Sequence, residues 1–63
     1  MNIKQEVKAL LQSEGITPAQ NGYSHTRYID GMNALYRNRP DLCKGRAFVQ
    51  ARQCIIDNAK GRP

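Results

Sequence analysis

Residues 46–60, RAFVQARQCIIDNAK, read as a helix with an unusually wide apolar arc. At helical spacing Ala47, Phe48, Ala51, Cys54, Ile55 and Ala59 form one stripe, and Val49 and Ile56 widen it. The arc then spans roughly 200°, where a helix packed on one neighbour shows about 100°. A helix of this kind needs more than one partner, and a chain of 63 residues offers few. The expected fold is therefore all-α, a small three-helix bundle completed by homodimerisation. Its protein interface is expected to use Phe48, Val49, Arg52, Ile55, Ile56 and Tyr36.

The flanks of this stretch set its limits. Gly61, with Pro63 behind it, is a stop signal. Gly45 separates the helix from 41–44, where one short turn can bury Leu42. Before that, Arg39-Pro40 breaks a preceding helix, because the residue before proline is pushed out of the α region.

That preceding helix is expected over 24–38, with Ser24 as its cap. Tyr28, Ile29, Met32, Leu35 and Tyr36 share one face, and Asp30, Asn33 and Arg37 occupy the other. Tyr28 and Tyr36 read as core residues, and Tyr36 also borders the expected interface. Gly31 costs about 1 kcal/mol relative to alanine inside a helix. It either weakens the segment or admits a close neighbour.

The first helix is expected over 3–14. Asn2 is a candidate N-cap with Gln5 three residues on, the spacing of a capping box. Ile3, Val7, Leu10 and Leu11 follow the spacing of a single face. Gly15 suits the left-handed position after the helix, and Ile16 can then close on Leu11.

Between these helices, residues 15–23 form a connector. Thr17-Pro18 can open a single helical turn over 17–20. Asn21-Gly22 is instead a hairpin signal, although Pro18 would remove a ladder donor from the first strand. The sequence leaves helix versus hairpin open for residues 16–29.

The whole chain, 1–63, is expected to be a single helical domain, and cores this small are often completed by a second copy. The net charge is +5. Lys4, Lys8 and Arg27 balance Glu6, Glu14 and Asp30 in the first half. Arg37, Arg39, Lys44, Arg46, Arg52, Lys60 and Arg62 face only Asp41 and Asp57 in the second. Such asymmetry favours an acidic partner.

Several function classes find no support in the residues. No run has the length of a membrane span. Residues 1–14 carry charges throughout and lack the apolar core of a signal peptide, so a cytoplasmic location with free thiols is expected. No catalytic residues are assigned. Cys54, His25 and Asp57 can be written as a triad, but Cys54 and Asp57 point to different sides of their helix. His25 is expected to be structural or solvated. Cys43 and Cys54 lack the spacing of zinc pairs, so no metal site and no cofactor are expected.

The reading that remains is a small non-catalytic regulatory or accessory protein acting through protein–protein contact. It is expected to be a homodimer, with a host or cellular protein favoured over nucleic acid and with no small-molecule substrate. The alternative is a basic helical DNA- or RNA-binding module using Arg37, Arg39, Lys44, Arg46, Gln50 and Gln53. The size, single domain and lack of a reactive site look like those of bacteriophage or mobile-element accessory proteins, though no motif carries that likeness.

Overall fold

The computed structural model describes residues 2–61, so Arg62 and the stop signal read at Pro63 lie outside the described residues. The first helix, α1, is Ile3–Ser13, and Asn2 Oδ1 accepts from the Gln5 N–H at 3.3 Å. Gly15 adopts φ 74° after it. The Gly15 N–H donates to Gln12 O at 3.1 Å and the Ile16 N–H to Leu11 O at 2.9 Å. These two bonds make a Schellman stop, which satisfies carbonyls that the helix end would otherwise leave open.

The second helix, α2, is His25–Asn38, with Ser24 Oγ accepting from the Arg27 N–H at 3.3 Å. It stops ahead of Pro40, which opens a 3-10 turn, Pro40–Leu42, that buries Leu42. The third helix, α3, is Gly45–Lys60. All three lie within about one residue of the expected bounds, the ordinary scatter of helix ends.

The connector takes neither of the forms weighed for it. The described residues contain no strand, and residues 17–20 form no helical turn. Its backbone is used elsewhere. The Ala19 N–H donates to Asn58 O at 3.0 Å, and the Ser24 N–H to Ala59 O at 2.8 Å. Two carbonyls at the end of α3, which have no partner within the helix, are thereby capped by the connector. Arg27 Nε donates to Thr17 O at 2.6 Å and ties the same segment to α2.

Gly61 completes this junction. Its φ is 77°, and a Cβ there would stand 2.0 Å from Ala19 O. No other residue fits that approach without moving the connector.

The core comprises Val7, Leu11, Met32, Leu35, Leu42, Ala51, Cys54 and Ile55, with Leu35, Ile55 and Val7 fully buried. α3 packs on both α1 and α2, and the 3-10 turn closes one end against α2 and α3. Where α2 meets α3, Gly31 admits Ile55. A Cβ on Gly31 would lie 2.7 Å from Ile55 Cγ2 and 3.4 Å from Leu11 Cδ2. Among the two readings of Gly31, close approach is the one realised.

Candidate functional site

The wide arc of α3 divides between core and surface. Ala51, Cys54, Ile55 and Ala59 are buried between α1 and α2, while Ala47, Phe48 and Ile56 are half-buried. Val49 remains 68% exposed. On α2, Tyr36 is 52% exposed and Ile29 is 41% exposed. Tyr36 was expected to belong to the core; its ring instead stacks on Phe48, with centroids 6.5 Å apart. That contact joins the outer edge of α2 to the outer edge of α3.

A second contact crosses the same seam. Arg52 Nε donates to Tyr28 Oη at 3.4 Å, and this bond is the first cause holding the guanidinium pKa above its ordinary value. The α2–α3 face thus presents Ile29, Tyr36, Phe48, Val49 and Ile56, with Arg52 anchored among them. Of the expected interface residues, Ile55 is the exception. It has no exposed surface and holds the core from beneath.

The candidate nucleic-acid residues are distributed differently. Arg37 Nη2 pairs with Glu14 Oε1 at 2.8 Å, and Asn38 Nδ2 adds a bond to Glu14 Oε2 at 3.3 Å. Arg39 donates to both oxygens of Asp41, at 3.1 and 2.8 Å, and pairs with Glu6. The Asp41 carboxyl is held below its ordinary value, first by the hydrogen bonding from Arg39. Both arginines therefore clip the end of α2 to α1. Gln53 Nε2 donates to Asp57 Oδ1 at 3.0 Å. Lys44, Arg46 and Gln50 are exposed.

These clips redistribute charge. Glu6 and Glu14 are neutralised by arginines from further along the chain, which leaves Lys4 and Lys8 without an ion pair among the described residues. Both lysines border an open groove between α1 and α3 of about 1070 Å³. Ile16 and Pro18 supply its apolar surface above the buried Leu11 and Cys54, and Lys60 and Asp57 also line it. Nothing in the sequence pattern marked this groove, because Lys4 and Lys8 looked balanced by the neighbouring acids.

The residues of the paper triad have separate partners. Cys54 Sγ donates to Lys4 O at 3.7 Å, His25 Nδ1 bonds Tyr23 Oη at 3.2 Å, and Asp57 accepts from Gln53. Burial raises the Cys54 thiol pKa, with the positive charges of Lys8 and Lys4 acting in the opposite sense. Cys43 and Cys54 are both free thiols. Among the described residues no three His, Cys, Asp or Glu side chains converge as a metal site would need, and no helix is long and apolar enough to cross a membrane.

No protein-family model, curated protein sequence or solved structure matches this chain.

Proposed function

We propose that this protein is a non-catalytic accessory protein that works by protein–protein contact through its α2–α3 face, and that a second copy is the first partner of that face. The carrying observation is the exposure of Val49, Tyr36 and Ile29, with Tyr36 stacked on Phe48 across the seam and seven residues from Ile29 on the same side of α2. Large apolar side chains grouped in this way mark association surfaces, whereas single scattered ones do not. Tyr36 suits such a surface, since its ring packs and its hydroxyl remains free to bond.

Sedimentation equilibrium tests the reading. The wild-type chain should form dimers at high micromolar concentration, and Val49→Asp should remain monomeric with unchanged helicity. A cooperatively folded wild-type monomer at that concentration overturns the dimer.

The nucleic-acid reading keeps Lys44 and Arg46 as its cations without an ion pair among the described residues, with Arg37 and Arg39 tied to carboxylates. Two phosphate contacts give a log–log salt slope of only about −1.8 on duplex DNA. Electrophoretic shifts at several salt concentrations separate that weak dependence from the steeper one of a built DNA-binding surface.

A further inference from the structure

The α1–α3 groove combines features that the α2–α3 face lacks. Ile16 and Pro18 give it apolar surface over a floor of the buried Leu11 and Cys54, and Lys4, Lys8 and Lys60 stand against a single acid, Asp57. Lys4 and Lys8 are one helical turn apart, so their side chains project from the same side of α1. Neither has an ion-pair partner among the described residues.

We propose that this groove docks an acidic amphipathic helix of a partner protein. Apolar side chains of that helix would lie over Ile16 and Pro18, and its carboxylates would meet Lys4, Lys8 and Lys60. Helix-in-groove recognition uses an apolar channel for residues spaced three and four apart, and complementary charge at its rim adds specificity. At about 1070 Å³ the groove is at the upper limit of small-molecule pockets.

The other occupants fit less well. A second copy carries a net charge of +5 and has its α1 acids already paired with Arg39 and Arg37, so it offers no acidic helix face. Single-stranded nucleic acid relies on aromatic side chains for base stacking, and no aromatic residue lines the groove.

Fluorescence anisotropy with a labelled synthetic helix tests the proposal. The probe carries leucines at one face and glutamates on both flanks, and its control replaces every glutamate with lysine. The acidic probe should bind saturably, more weakly as salt rises, and the control should bind at least about tenfold more weakly. The double variant Lys4→Glu/Lys8→Glu should lose about tenfold or more in affinity for the acidic probe. If that variant fails to fold by circular dichroism, Lys4→Gln/Lys8→Gln should show a smaller loss of the same sign. Amide shifts should fall on Gln12, Thr17, Cys54 and Asn58, and Val49→Asp should leave probe binding unchanged.

Absence of saturable binding overturns the proposal, as does equal affinity for the lysine control. So do shifts confined to the α2–α3 face, or preference for an oligonucleotide or a long-chain carboxylate over the acidic helix. Loss of self-association in Val49→Asp with intact probe binding separates this groove from the dimer face.

Discussion

Gly31 and Ile55 meet so closely that a single methyl group on Gly31 would stand 2.7 Å from Ile55 Cγ2. Ile55 has no exposed surface, and its branched side chain has no free end that can swing aside. Alanine at position 31 gains about 1 kcal/mol of helix propensity. Overpacking of a closed core costs about 1–3 kcal/mol. Gly31→Ala should therefore lower stability despite the better helix former, as read by urea denaturation. Ile55→Leu in the same background, which removes the Cγ2 methyl from the β-carbon, should recover part of the loss.

Arg39 joins three elements by bonding Glu6 on α1 and Asp41 in the 3-10 turn while standing at the end of α2. Arg39→Gln should lower the thermal midpoint at neutral pH. The pH dependence follows from Asp41, whose carboxyl is held below its ordinary value of 3.8 in the folded chain. A carboxyl depressed by folding contributes stability above its unfolded pKa and loses it as pH falls through the folded value. The gap in melting temperature between wild type and Arg39→Gln should therefore narrow below about pH 4. Circular dichroism melts across the acid range measure it.

The two thiols should differ in reactivity. Cys54 is 5% exposed and burial raises its pKa, while Cys43 is only partly covered. Thiolate is the reacting form, so a raised pKa and restricted access act in the same direction. Ellman's reagent should modify Cys43 first in the native protein. Cys54 should follow only at the rate of opening, and both should react together in denaturant.

Asn58 Nδ2 is buried without a hydrogen-bond partner among the described residues. An unpaired buried amide donor costs about 1–3 kcal/mol. The Asn58 carbonyl, which receives the Ala19 N–H, belongs to the backbone and survives substitution. Asn58→Leu should therefore raise stability by about 1 kcal/mol in urea denaturation. A drop in stability would show that the amide has a partner under native conditions.

Features set by neighbouring residues were legible in the sequence. Asn2, Gly15, Ile16, Ser24 and Pro40 act within one turn of themselves, and each takes the place its chemistry indicates. The division of the α3 stripe was legible in part. Val49 stays uncovered as its position predicts, but Ile55 sits one step round the helix and is sealed.

What depended on distant residues was not legible. Glu6 and Arg39 are far apart in sequence, so their pairing reversed the apparent placement of free charge. Arg37 and Arg39 of the expected basic cluster became ties, and Lys4 and Lys8 of the balanced first helix are unpaired among the described residues. Likewise, the connector has no pattern of its own because its N–H groups serve carbonyls at the far end of α3.

Because Ala19, Ser24 and Gly61 must meet at one junction, the last turn of α3 is finished by chain made long before it. During synthesis α1 and α2 would emerge first and wait, their connector lacking its acceptors. The connector gains its partners only once residues 58–61 have been made, so the junction locks the three helices together in one step.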